Sequence, residues 1–113
     1  MIGIDIVVIS RIENMIKKYG NKVINKILTQ EEQIFFKTPS SIAGAFAAKE
    51  AFSKALGTGI GKECGFHDII ILKNNKNKPY ISQKTLKKFN LKQADISISH
   101  DGGFAIAAVI IFQ

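Results

Sequence analysis

The chain has 113 residues, 46% of them hydrophobic, which suits one globular domain with a single modest core. Sixteen Lys and Arg against nine Asp and Glu leave a formal charge of +7, so the surface attracts anions: phosphate groups, nucleic acid or an acidic protein. The single cysteine, Cys64, excludes an intrachain disulfide and an all-cysteine metal site, and suits a reducing cytoplasm.

The opening MIGIDIVVIS is apolar but too short to span a bilayer, carries Asp5 and lacks the basic start of a secretory signal. It reads as a strand, and no membrane association is expected. Ile2, Ile4, Ile6 and Val8 share one face of that strand; Gly3, Asp5 and Val7 share the other. Ser10 is a candidate N-cap for a helix of about ten residues, with Ile12, Met15 and Ile16 at helical spacing and Gly20 as its stop. A second short helix covers residues 22–28. Thr29 and Glu32 then form a capping-box pair ahead of Ile34, Phe35 and Phe36, which predicts a helix closed by Pro39.

Ser40 or Ser41 caps the longest helical run, residues 42–56, rich in Ala and Phe and ended by Gly57 as a left-handed C-cap. Gly57-Thr58-Gly59-Ile60-Gly61 is an irregular loop, because glycines at alternate positions weaken both regular structures. Residues 67–73 read as a strand, 74–79 as a turn and 82–89 as a short basic helix. A hairpin closes the chain: Ile96 and Ile98 alternate with Ser97 and Ser99, Asp101-Gly102-Gly103 turns, and residues 104–112 return as a largely buried strand. This order predicts an α+β fold, a single domain over residues 1–113 with helices on one face of a mainly antiparallel sheet.

A carboxylate inside an apolar strand is disfavoured unless it is paired or holds a cation, which singles out Asp5. On the long helix Lys49, Glu50, Ser53 and Lys54 form one polar arc. A solvated stripe explains the arc simply, with Glu50 and Lys54 as an i, i+4 pair contributing about 0.2–0.5 kcal/mol. The alternative joins Asp5 and Glu50 as ligands of a hard cation such as Mg²⁺, which takes one or two carboxylates and completes its shell with water and substrate phosphates. The glycine loop could approach a phosphate closely, but it follows a helix C-terminus, so Lys54 and Lys62 have to supply the attraction; a plain flexible connection is the other reading. His100 could donate to a phosphate, move a proton or merely satisfy a strand end. No zinc spacing and no Ser-His-Asp order is present, which leaves hydrolase chemistry without support.

Gly3-Ile4-Asp5-Ile6 with Arg11, then Phe46-Ala47-Ala48-Lys49-Glu50-Ala51-Phe52-Ser53-Lys54-Ala55, then Gly57-Thr58-Gly59-Ile60-Gly61, and Ile96-Ser97-Ile98-Ser99-His100 near the end, closely resemble the holo-acyl-carrier-protein synthase family, within the 4′-phosphopantetheinyl transferases. The resemblance implies a cytoplasmic homotrimer with active sites in clefts between protomers, serving fatty acid biosynthesis. It implies transfer of 4′-phosphopantetheine from coenzyme A to a serine of apo-acyl carrier protein, with Mg²⁺ as cofactor and adenosine 3′,5′-bisphosphate released. Asp5 and Glu50 match the metal ligands, and Asp5, Glu50 and Lys54 the catalytic set. Lys54, Gly57, Gly59, Lys62 and His100 match the coenzyme A contacts, with His100 beside the 3′-phosphate. Arg11 matches a residue that docks the acidic carrier protein. The serine's proton passes either to a water on the metal or to Glu50. One position departs: Ala45 stands where many family members carry an arginine, so a phosphate contact is lost or supplied by another lysine. The rival reading is a noncatalytic nucleic-acid-binding module, prompted by Lys84, Lys87 and Lys88 on one short helix, but the phenylalanines fall at core-like spacing and not on a stacking surface, so no nucleic acid partner is expected.

Overall fold

The computed structural model describes residues 1–113. Strand β1 (Ile2–Val8) leads into helices α1 (Ile9–Tyr19) and α2 (Asn21–Ile27), a single 3₁₀ turn at Glu32–Ile34, and the long helix α3 (Pro39–Leu56). A second 3₁₀ turn at Phe66–Asp68 precedes a small hairpin, β2 (Ile71–Lys73) and β3 (Pro79–Ile81). Helix α4 (Gln83–Lys88) and the closing hairpin β4 (Gln93–Asp101) and β5 (Phe104–Phe112) follow. The main sheet is antiparallel with order β1-β5-β4, and β2-β3 is a separate two-stranded sheet. Gly102 and Gly103 both take positive φ in the β4–β5 turn, the backbone a tight two-residue hairpin requires.

The α+β architecture predicted from the sequence holds, with α3 laid across one face of the main sheet. Both surfaces at that contact are lined by small residues: Ala47, Ala48, Ala51 and Ala55 on the helix, Gly3, Ala105 and Ala107 on the strands. A Cβ built on Gly3 would sit 1.9 Å from the Ala51 carbonyl oxygen, so helix and strand backbones touch there. Gly3→Ala should therefore force the two apart and cost about 1–3 kcal/mol, or more because backbone yields less readily than a side chain. Thermal unfolding should show it as a drop of several degrees; an unchanged midpoint would mean that α3 does not rest on β1 as described.

Several local expectations are corrected. Ser10 is not a cap: β1 runs straight into α1 with Val8 at the N-cap and no side-chain bond, and the Ile9 amide instead donates to the Gly103 carbonyl in the hairpin turn. Thr29 and Glu32 do bond reciprocally, but only one 3₁₀ turn follows, because the Glu32 carboxylate is drawn into the core. Pro39 starts α3 at its first position, where a missing N–H costs nothing. Its cap is Thr38, not Ser40 or Ser41; Ser41 is the reciprocal partner in the capping box. Only Ile71–Lys73 of the strand expected over residues 67–73 pairs, since Asp68 accepts from the Gly65 amide and coils the preceding segment. Strand β5 is buried on one face only: Phe104, Ile106, Ile110 and Phe112 are exposed, as are Ile2, Ile4, Ile6 and Val8 of β1.

Lys49 and Ser53 rule out the solvated-stripe reading for their part of the polar arc, since both are fully buried. Lys49 Nζ donates to Glu32 Oε1 (2.6 Å) and to the carbonyls of Ile27 (2.7 Å) and Phe66 (2.9 Å). Glu32 also accepts from the Thr29 amide and hydroxyl and from the Ile71 amide. No buried side-chain nitrogen or oxygen lacks a partner, which is the condition under which a dry ion pair is tolerable. Burial lowers the proton affinity of Lys49 and Glu32 opposes that fall.

Candidate functional site

Strand alternation turns Asp5 toward α3 together with Gly3 and Val7, and the Gly3 contact fixes how closely α3 approaches. Lys54 Nζ donates to Asp5 Oδ1 (2.9 Å) and to the Ile4 carbonyl (3.1 Å). Lys54 thus bridges to the strand and not to Glu50, in contrast to the i, i+4 pairing read from the helix alone.

Glu50 is half-buried on α3 close enough to Asp5 to sense its charge. Its carboxyl binds a proton more tightly than an ordinary carboxylate, chiefly through burial and then through Asp5, while Lys54 and Arg11 act the other way. Folding penalises the ionised form relative to the unfolded chain. Glu50 therefore costs stability above its folded pKa, and the cost is relieved as pH falls toward 4.5, the ordinary value. Replacing Asp5 by Asn should lower the midpoint at which Glu50 titrates, measured by carboxyl carbon NMR; an unchanged midpoint would mean that the two carboxylates do not share one site.

Two carboxylates at partly buried positions, one from a strand and one from a helix, fit a divalent cation such as Mg²⁺ in donor type. No cluster of three or more His, Cys, Asp and Glu side chains forms in the chain, so a cation held here would have two protein ligands at most and would need water or substrate oxygens to complete its shell.

Arg11, exposed in the first turn of α1, links this carboxylate pair to a groove. Its charge reaches Glu50, and its guanidinium lies 6.0 Å from the centre of the Phe46 ring. The groove is a half-open cavity of about 390 Å³ floored by Met15, Val23, Ile27, Phe46 and Phe66. Arg11, Lys22 and Lys26 give its lining a positive charge with no carboxylate to balance it. Sequence reasoning missed the cavity, although Lys22 and Lys26 lie on one side of the short helix whose Val23 and Ile27 point inward.

The glycine loop forms as expected, with Gly57 and Gly59 at positive φ. The amides of Gly57, Thr58 and Gly59 all donate to the Ser53 carbonyl, so these N–H groups are already used within the loop. Lys54 and the exposed Lys62 remain as its cations.

His100 lies elsewhere. Its Nε2 bonds the Ser40 carbonyl at 2.8 Å; a carbonyl only accepts, so Nε2 carries the hydrogen. Gly44 leaves the room this ring occupies, since a Cβ there would lie 2.9 Å from Nε2. The ring lies between Ser40 and Gly44, and Gly44 is six residues, about 9 Å of helix, before Glu50. One chain thus holds the acidic pair and His100 at separate points along α3. Around His100 is a second cavity of about 150 Å³, with Lys73, Ser41, Asn77 and Pro79 in its lining. Ala45 is fully buried.

Helix α4 carries Lys84, Lys87 and Lys88, but Phe89 at its end packs on Phe52 and gives no exposed ring for base stacking. No helix is long and apolar enough to cross a membrane.

Comparison with known proteins agrees with the motif resemblance. The pattern of the 4′-phosphopantetheinyl transferase superfamily matches residues 1–109. The holo-[acyl-carrier-protein] synthase of Nautilia profundicola is 62% identical over 113 residues, covering 100% of both chains. In structure, the Helicobacter pylori holo-[acyl-carrier-protein] synthase in complex with coenzyme A superposes with a TM-score of 0.92 at 49% identity, covering 98% of this chain and 99% of that one. The Bacillus anthracis holo-(acyl-carrier-protein) synthase in complex with CoA (3′,5′-ADP) gives 0.80 at 39% identity, covering 97% and 93%.

Proposed function

The chain belongs to the 4′-phosphopantetheinyl transferase superfamily, among the holo-acyl-carrier-protein synthases, and from that premise we propose that it moves 4′-phosphopantetheine from coenzyme A to a serine of apo-acyl carrier protein in a Mg²⁺-dependent reaction. The observation that carries this reading is the convergence of Asp5 and Glu50, with Lys54 on Asp5, beside a groove with a basic rim.

In this mechanism Asp5 and Glu50 would hold the cation, which when bound would supply positive charge for the pyrophosphate of coenzyme A and for the departing adenosine 3′,5′-bisphosphate. Lys54, within reach of the same place, adds a mobile positive charge for the phosphates. The carrier serine Oγ forms a bond to the β-phosphorus, the bond from that phosphorus to the bridging oxygen breaks, and the bridging oxygen leaves with the adenosine bisphosphate. The serine proton passes either to Glu50, whose proton affinity is raised, or to a water at the cation. Arg11, Lys22 and Lys26 attract the acidic carrier protein, and the apolar floor of the groove receives a side chain from it.

His100 belongs with the 3′-phosphate, and Lys73 across the same small cavity supplies the positive charge that Ala45 cannot. Because His100 is remote from Glu50 within one chain, the coenzyme A site combines the acidic pair of one subunit with the His100 cavity of the next. The eight exposed apolar side chains on the outer face of β1 and β5 form a patch that a subunit contact covers; Ile2 is 71% and Ile4 63% exposed in the single chain. A threefold assembly follows the family. The single thiol and the use of coenzyme A suit the cytoplasm.

The direct test mixes the protein with apo-carrier protein, coenzyme A and Mg²⁺ and weighs the carrier by intact mass spectrometry. The phosphopantetheine arm should appear, and should not appear when a chelator is present. No mass gain under any condition overturns the transferase reading; gain that ignores the chelator overturns the metal.

A further inference from the structure

We propose that Lys49, paired with Glu32, is a positioning residue for carrier-protein docking: its ammonium fixes two main-chain walls of the groove beside Glu50. The proposal rests on the reading of that groove as the place where the acidic carrier docks.

Lys49 precedes Glu50 by one residue and follows Phe46 by three, so the helix that presents Glu50 and one wall of the groove also carries the clamp. All three of its protons are used. Two go to the carbonyls of Ile27 (2.7 Å) and Phe66 (2.9 Å), and the side chains of these same two residues line the groove. The third goes to Glu32 Oε1, whose carboxylate is itself held by Thr29 and by the Ile71 amide. A single buried ammonium therefore joins the end of α2, the Glu32 turn and the Phe66 turn to α3. At the exposed rim only a bond between His67 Nε2 and the Asn25 carbonyl (2.6 Å) also joins α2 to the Phe66 turn.

Filling space does not require this arrangement. A buried ion pair is often no more stable than apolar residues of similar volume. Apolar residues cannot donate to two inward-facing carbonyls, and those carbonyls belong to the residues that set the groove's width. The pair is thus explained by the walls it holds. The occupant is an apolar side chain on an acidic segment of the carrier protein, chosen by the uncompensated Arg11, Lys22 and Lys26 in the lining.

The test is the double variant Lys49→Met with Glu32→Gln, which removes both charges and leaves an acceptor for the Ile71 amide. Loosened walls must be ordered anew at each docking, so KM for apo-carrier protein should rise about tenfold. In the same protein kcat and the calorimetric affinity for coenzyme A should change less than about twofold, a split that general loosening would not produce. A folded double variant with wild-type KM for the carrier overturns the proposal, as does one whose coenzyme A affinity falls in parallel. If the double variant does not fold, Glu32→Gln alone carries the same comparison, because a buried Lys49 without its counter-charge gives up its proton and with it the charge-assisted hold on the two carbonyls. Met15→Ser, on the groove floor but untouched by the clamp, separates the two ideas. If it leaves KM unchanged, the groove is not the docking site; if it raises KM while the Lys49 and Glu32 variants do not, only the clamp fails.

Discussion

Replacing Glu50 by Gln is expected to lower phosphopantetheine transfer by about 10³-fold while leaving the fold intact or slightly more stable. The activity loss follows from the charge the site must neutralise: a bound cation stabilises the transition state by several kcal/mol, and each ~1.4 kcal/mol is a factor of ten in rate. Gln keeps the shape of Glu but offers a weaker, uncharged ligand and no proton acceptor. The stability gain follows from the direction of the Glu50 shift. Its proton affinity is raised by burial and by Asp5, so at neutral pH the ionised carboxylate is held against its preference, and removing the charge relieves that cost. Transfer followed by intact mass and unfolding followed by calorimetry should therefore move in opposite directions. A variant that loses activity and stability together would mark Glu50 as a structural residue, and one that keeps near-normal transfer would remove it from the mechanism.

Opposite signs of this kind also bear on what a sequence can reveal. Asp5 stood out because strands disfavour acids, and period-two alternation was enough to place it on the face of Gly3. Glu50 could be placed on the long helix, and the left-handed Gly57 correctly set that helix's end. That the two meet depends on Gly3 lying against Ala51, a tertiary contact that no local pattern encodes.

The missed features share a cause. Lysine usually faces solvent, yet Ala45 lies four residues before Lys49 and Phe52 three after, an apolar arc that marks it as inward-facing. Its partner Glu32 was spent on a local capping box. The box is real, but the carboxylate does a second, long-range task that only the fold reveals. Likewise β5 read as buried because both its faces are apolar; one faces α3, and the other is bare in the single chain. Hydrophobicity reports that a surface will be covered, not which molecule covers it.

The bare face and the remote His100 together lead to a second large effect, in mixed assemblies. His100→Ala alone should weaken coenzyme A use by about ten- to a hundredfold, the worth of a charge-assisted bond to a phosphate. Glu50→Gln alone should be nearly inactive. If each site takes Glu50 from one subunit and His100 from its neighbour, co-expression of the two variants rebuilds intact sites wherever a His100→Ala chain supplies Glu50 to a Glu50→Gln chain that supplies His100. Random assembly in a ring gives that order at about one interface in four, so the mixture should recover roughly a quarter of wild-type activity at limiting coenzyme A. The recovery cannot come from either parent, and within a single chain the His100 ring, against Gly44, is about 9 Å of helix from Glu50. A mixture no more active than the sum of its parents, or a wild-type chain that sediments as a monomer while fully active, would return the whole site to one subunit. His100 would then be only the partner of the Ser40 carbonyl that its hydrogen bond makes it in the isolated chain.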